Sequence, residues 1–182
     1  MKKIIGISGS LRANSSASAV LNIVAGLAPA GINFEIYKEL ETIPAFNDSN
    51  EIPTPVADFI KLVSGADGVF FCIPEYAFGV PGALKNALDW TVSTTAFSDK
   101  PVALITAASS GEKAHDAFLL TLKAIGTKIA EDGTLLLSFI RTKLNEKNEV
   151  KDITTLNSIK RVISALITSI EAPEIDIDSN GL

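Results

Sequence analysis

The chain has a single cysteine, a single histidine and a single tryptophan in 182 residues. One thiol, Cys72, excludes an internal disulfide and a thiolate metal cluster. One histidine, His115, argues against a zinc site, which draws on several nitrogen or sulfur ligands. Positive charge is scarce: 16 basic residues face 21 acidic ones, giving a net charge of −5 and a pI near 4.9. A general nucleic-acid binder needs a basic face, so that class is set aside. No apolar run approaches membrane-span length. The two lysines at the N-terminus lead only a short apolar run, expected to be a first strand rather than a signal peptide. With 47% hydrophobic and 20% charged residues, the expectation is a cytoplasmic, globular domain over residues 1–170 and an acidic tail over 171–182.

Familiar phosphate motifs are missing as well. No Gly-Lys-Ser/Thr follows the first apolar run, nor does G-x-G-x-x-G, so the Walker loop and the dinucleotide fingerprint are absent. No cysteine nucleophile stands there either. What does stand there is Ile5-Gly6-Ile7-Ser8-Gly9-Ser10-Leu11-Arg12-Ala13-Asn14-Ser15-Ser16. The pattern predicts a strand, a tight loop and a helix N-terminus. Such a terminus leaves backbone N–H groups unpaired and carries partial positive charge, which suits an anion. Ser10, Ser15 and Ser16 add hydroxyl donors, and Arg12 adds a permanently charged fork. The stretch is expected to cradle a phosphate; the alternative is a polar turn whose serines only cap a helix.

Hydropathy along the chain predicts alternating elements. Strands are expected at 3–8, 33–37, 67–73, 101–107 and 134–140, and helices at 15–27, 54–64, 81–92, 113–125 and 152–170. Strict β-α alternation implies a parallel sheet covered on both faces. Five strands fit an α/β flavodoxin-like three-layer sandwich with sheet order 2-1-3-4-5. Ligands in such sheets sit at the carboxyl ends of the strands, which brings together the loops at 8–16, 74–82 and 107–115. The 74–82 loop is stiffened by Pro74 and Pro81, walled by Tyr76 and Phe78, and opened by Gly79 and Gly82 for close backbone approach to a flat ligand.

Gly9-Ser10-Leu11-Arg12-x-x-Ser15, Pro74-Glu75-Tyr76 and Pro81-Gly82-x-Leu84-Lys85-Asn86-x-x-Asp89-Trp90 together resemble the NADPH-dependent FMN reductase family, which includes quinone, azo-dye and chromate reductases. The resemblance implies a flavodoxin-like fold, bound FMN, NADPH or NADH as donor, and a homodimer or homotetramer. It implies that Ser10, Arg12, Ser15 and Ser16 hold the FMN phosphate. Pro74, Glu75, Tyr76, Ala77 and Phe78 would meet the ring and ribityl chain, with Ser109, Ser110 and Gly111 approaching from the fourth strand. This chain departs from the family pattern at Ala77, where many members carry Asn, at Gly79, where many carry Ser or Thr, and at Ala17, where many carry Asn. Those changes remove side-chain hydrogen bonds and leave backbone contacts.

The implied activity passes hydride from NAD(P)H through FMN to quinones or other small acceptors, with no catalytic side chain required and no metal. The alternatives are a flavodoxin-like electron carrier that waits for a reductase partner, and a non-flavin hydrolase or transferase using the same cradle. Glu75 is open between accepting from a hydroxyl or backbone amide and projecting to solvent. His115 is open between cofactor contact and a plain helix-start residue. The helix after Pro81 is apolar on two faces, so Trp90 is expected either at a subunit interface or in the core. Cys72, at the end of a buried strand, is expected to be a small core residue.

Overall fold

The β-α alternation expected from hydropathy is what the chain adopts, with the C-terminal edge of its sheet carrying every loop singled out above. A computed structural model describes residues 1–12, 14–48 and 51–172. Among them the strands are β1 (Lys2–Ser8), β2 (Ile32–Tyr37), β3 (Gly68–Ile73), β4 (Pro101–Ala107) and β5 (Lys128–Leu137). The helices are α1 (Ser16–Leu27), α2 (Thr54–Ser64), α3 (Gly82–Asp89), α4 (Glu112–Ala124), α5 (Ile140–Lys143) and α6 (Ile153–Glu171). All strand pairs are parallel, in the order β2-β1-β3-β4-β5. Residues 173–182, most of the expected acidic tail, lie outside the described residues.

Side-chain alternation on the central strands splits the core in two. Ile5, Ile7, Phe71 and Ile73 face α2, α3 and α4, whereas Ile4, Phe70 and Cys72 face α1 and α6. β3 is fully buried along its length, as its unbroken apolar run Gly68-Val69-Phe70-Phe71-Cys72-Ile73 requires. Cys72 is core, and burial pushes its thiol well above its ordinary pKa.

Two boundaries differ most from expectation. β5 begins at Lys128 rather than 134: Lys128 and Ile129 pair with Pro101 and Val102, and pairing resumes at Leu104 with Thr134. Glu131-Asp132-Gly133 has the composition of a turn, yet the strand passes through it as a bulge, with Asp132 at φ 58°. α3 stops at Asp89, and a series of turns replaces its expected last residues. α2 spans the expected 54–64 and is entered from Pro53. The expected start at 15 is otherwise sound: Ser15 caps α1, its Oγ accepting from the Ser18 amide.

Candidate active site

Adjacent strands β1, β3 and β4 deliver their following loops to one edge, and each loop is tied to the next. The first loop leaves β1 with the Gly9 amide still donating to the Cys72 carbonyl at 2.9 Å. Gly9 is closely packed: a Cβ there would lie 3.1 Å from Ile73 and 3.2 Å from Pro81. Ser10 and Ser15 are buried, at 7% and 3% exposure. A buried hydroxyl needs a partner, and both have one. Ser15 Oγ donates to Ser18 Oγ at 2.8 Å, and Ser18 Oγ also lies 3.0 Å from Ser8 Oγ. Ser10 Oγ meets the Tyr76 hydroxyl at 2.9 Å, joining the first loop to the second. Ser15 is therefore a helix cap, and this does not compete with an anion site, because the cap orients the first turn of α1 toward the same edge. Arg12 is exposed there with no carboxylate within ion-pair distance among the described residues.

The second loop makes its turn without glycine. Ala77 and Phe78 take φ of 48° and 58°, and Tyr76 and Gly79 exchange both backbone hydrogen bonds, at 3.1 and 2.9 Å. Two successive left-handed residues define a type I′ turn, for which Asn-Gly is the preferred pair. Gly79 and Gly82, expected to allow close backbone approach, do not have positive φ; Ala77-Phe78 carries the strain of the turn. The turn presents Phe78 to solvent at 78% exposure.

Glu75 links the second loop to the third. Its Oε2 accepts from the Gly111 amide at 2.9 Å and its Oε1 from the Ala114 amide at 3.2 Å. The open question about Glu75 resolves to backbone amides, those at the start of α4, where a carboxylate complements unpaired donors and the helix dipole. Gly111 sits at φ 100°, and a Cβ there would fall 2.8 Å from Leu136. Ser109 and Ser110 are exposed beside it. A fourth loop follows β5 and closes the row. Phe139 and Ile140 donate their amides to the Ser109 and Ala108 carbonyls, each at 3.1 Å, and the Ser138 hydroxyl donates to the Ser110 carbonyl at 2.8 Å.

These four loops enclose a cleft of about 150 Å³. Of the residues singled out in the sequence, Arg12, Ser15, Ser16, Pro74, Glu75, Tyr76 and Ser109 line it. Ser10 lines an adjoining cleft of about 430 Å³ that also has Arg12, Tyr37 and Lys38 in its walls. There burial pushes the Tyr37 phenol up to about 12, with Glu39 and Asp58 adding to the effect. Ala77, Phe78, Ser110 and Gly111 stand outside the walls of the smaller cleft. Two residues absent from the sequence reading do line it, Ile140 and Arg141. Their only signal was position, at and just past the carboxyl end of the strand expected at 134–140.

His115 lies against β4, its Nδ1 2.9 Å from Thr106 Oγ1, and burial lowers its pKa against the opposing pull of Asp116. Trp90 is 5% exposed. Its Nε1 donates to the Pro44 carbonyl at 2.9 Å, and Phe46 packs edge-on against its ring at 5.1 Å. Of the two places expected for Trp90, the core of this chain is the one it takes, with Pro44 and Phe46 of the connection after β2 against it.

The donor set fits a flavin mononucleotide by its chemistry. A phosphate dianion wants cationic and N–H donors, which Arg12 and the capped start of α1 provide. The adjoining loops supply an aromatic hydroxyl and backbone groups for the remainder. Similarity to known proteins bears on the same residues. A model of the NADPH-dependent FMN reductase family matches residues 2–141. The chain is 38% identical over 112 residues to the NAD(P)H-dependent FMN reductase PA1204 of Pseudomonas aeruginosa, an alignment covering 59% of this chain and 60% of that protein. It is 31% identical over 105 residues to a quinone reductase of Escherichia coli, covering 56% of this chain and 54% of that one. The matches thus span less than two thirds of the relatives' own length. The fold matches FerB, a flavoenzyme NAD(P)H:(acceptor) oxidoreductase from Paracoccus denitrificans, with a TM-score of 0.81 at 22% identity over 94% of this chain and 98% of that one. By the family match across most of its length, read with the loop geometry above, the chain belongs to the NADPH-dependent FMN reductase family.

Proposed function

We propose that this protein is an FMN-containing NAD(P)H oxidoreductase that reduces quinones or comparable small acceptors. The observation that carries the reading is the convergence of Arg12, Ser15, Ser16, Glu75, Tyr76 and Ser109 on one cleft at the carboxyl edge of a 2-1-3-4-5 sheet. Bound there, FMN supplies the capacity to accept a hydride from a nicotinamide and to pass reducing equivalents onward.

The chain's own contribution is binding and electrostatics. Arg12, Ser16 and the first amides of α1 hold the phosphate, while Ser10 and Ser15 set the loop that presents them. Tyr76 is fixed by its bond to Ser10, and the strained Ala77-Phe78 turn places an exposed aromatic at the rim. Gly111 shapes the third loop, but its amide is committed to Glu75. Stabilisation of negative charge on the flavin edge therefore falls to Ser109 and Ser110 of that loop rather than to Gly111. No side chain in the cleft needs to act as acid or base for hydride transfer. The electron-carrier alternative is not favoured, since the relatives named above are reductases.

A homodimer or homotetramer is part of the proposal, supported by the family resemblance; with Trp90 covered, any contact must use other surface such as Val92 or Leu120, which are exposed. Among the described residues no helix is long and apolar enough to cross a membrane.

The test is a visible absorption spectrum of the purified protein with added FMN, followed by anaerobic NADPH and then NADH. Flavin bands that shift on binding and bleach with either nucleotide, then recover with a quinone, are the expected result. Bands that bind but resist both nucleotides would replace the reductase reading with the carrier. No binding would remove the flavin.

A further inference from the structure

The chain has three arginines, Arg12, Arg141 and Arg161, in a protein of net charge −5. Two of the three, Arg12 and Arg141, line the same small cleft, from opposite ends of the chain. The backbone holds Arg141 there firmly. Ser138, Phe139 and Ile140 bond in turn to the carbonyls of Ser110, Ser109 and Ala108, and Ile140 anchors the segment at 2% exposure. Phe139 reaches this path only by adopting φ 54°, a left-handed conformation unfavourable for an L-residue. Strain of this kind persists only where neighbouring contacts over-determine it.

Neither guanidinium is in an ion pair among the described residues. The one carboxylate lining the cleft, among those residues, is Glu75, and both its oxygens already accept backbone amides. The cleft is therefore left with two uncompensated cations around a volume of about 150 Å³. A phosphate monoester carries about −1.5 to −2 charges at neutral pH, so one arginine leaves it half neutralised.

We propose that Arg141 is a second phosphate-binding cation of this cleft, pairing with the phosphate end of FMN together with Arg12. The inference rests on the reading that the cleft takes FMN, and it assigns the loop after β5 a share in cofactor affinity. Arg141→Ala and Arg141→Lys variants are titrated with FMN and with riboflavin, which lacks the phosphate, by flavin fluorescence at low and high salt. The Ala variant is expected to weaken FMN binding about 10- to 100-fold, the worth of a charge-assisted hydrogen bond, and to leave riboflavin unchanged. The salt dependence of FMN binding should flatten, and the Lys variant should recover part of the loss, since it restores the charge without the fork. Arg141 is exposed, and an unchanged thermal midpoint of the flavin-free variant checks its fold.

Unchanged FMN affinity overturns the inference. So does an equal loss for FMN and riboflavin, which would move Arg141 to the ring or ribityl end. Unchanged FMN affinity with a raised KM for NADPH would assign Arg141 to the nicotinamide nucleotide instead. If the wild-type protein binds FMN and the variants match it, this inference alone fails. If the wild-type protein binds no FMN, the functional reading fails and takes this one with it.

Discussion

Replacing Glu75 with alanine removes one carboxylate and leaves two amides at the start of α4 without their acceptor. The Gly111 and Ala114 N–H groups donate to its two oxygens at 2.9 and 3.2 Å, both part-buried. Hydrogen bonds to a charged group contribute about 1.5–3 kcal/mol, and loss of a helix-capping side chain costs about 0.5–2 kcal/mol. The second bond is long, and water can reach a half-buried helix end, so the lower part of the first range applies. We expect Glu75→Ala to lose about 2 kcal/mol of folding stability. For a chain of this size that is a fall of about 4–8 °C in the thermal midpoint. Urea denaturation followed by circular dichroism measures the free energy, and hydrogen exchange of the Ala114 amide tests the cause. Glu75→Gln keeps one acceptor oxygen and should fall between wild type and Ala. A Glu75→Ala protein within about 0.5 kcal/mol of wild type, the range of ordinary surface substitutions, would refute the bridging role. Faster exchange confined to sites away from α4 would refute it equally.

Gly111→Ala should cost about 2 kcal/mol or more, because φ of 100° is unfavourable for an L-residue and its Cβ would sit 2.8 Å from Leu136; an unchanged urea midpoint would mean the loop relaxes freely. Ala77→Asn with Phe78→Gly should stabilise the chain by about 1 kcal/mol by relieving the left-handed turn, while a neutral result would show that packing of Phe78 offsets its strain. His115 has a folded pKa below its ordinary 6.5, so it is neutral in the fold. As pH falls below 6.5 the unfolded chain takes a proton that the folded chain refuses, and stability drops until the folded pKa is reached. His115→Gln should flatten this part of the stability profile between pH 7.5 and 5; identical slopes in variant and wild type would remove the histidine from the effect.

Strand order and layers were legible because the apolar runs are strong and the intervening segments are helical. A stretch such as Gly68-Val69-Phe70-Phe71-Cys72-Ile73 has few other uses than a buried parallel strand. The serine-arginine loop after β1 and the proline-bounded loop after β3 were legible from composition. The start of β5 was not, because Glu131-Asp132-Gly133 carries turn chemistry and a bulge uses the same residues. Trp90 was ambiguous because its cover, Pro44 and Phe46, comes from an irregular connection with no periodicity. The partners of Glu75 lie 36 and 39 residues away, and Arg141 meets Arg12 only through the sheet order. Local patterns place an element; they do not say which side chain of one loop will satisfy the backbone of another.

That division explains how the site is built. Parallel strands fix the starting points of four loops but not their paths, since loop backbone has no ladder to fill. Here each path is set by a bond to the neighbouring loop: Ser10 to Tyr76, Glu75 to Gly111 and Ala114, and the backbone of Phe139 and Ile140 to Ser109 and Ala108. The left-handed residues Ala77, Phe78 and Phe139 occur in this row, where such cross-links can hold them. Those links use side-chain hydroxyls, a carboxylate and main-chain amides, and leave the two guanidiniums unused. Loops cross-linked in this way, with Arg12 and Arg141 on one cleft and outside any ion pair among the described residues, are the basis on which we propose an anion from outside the chain.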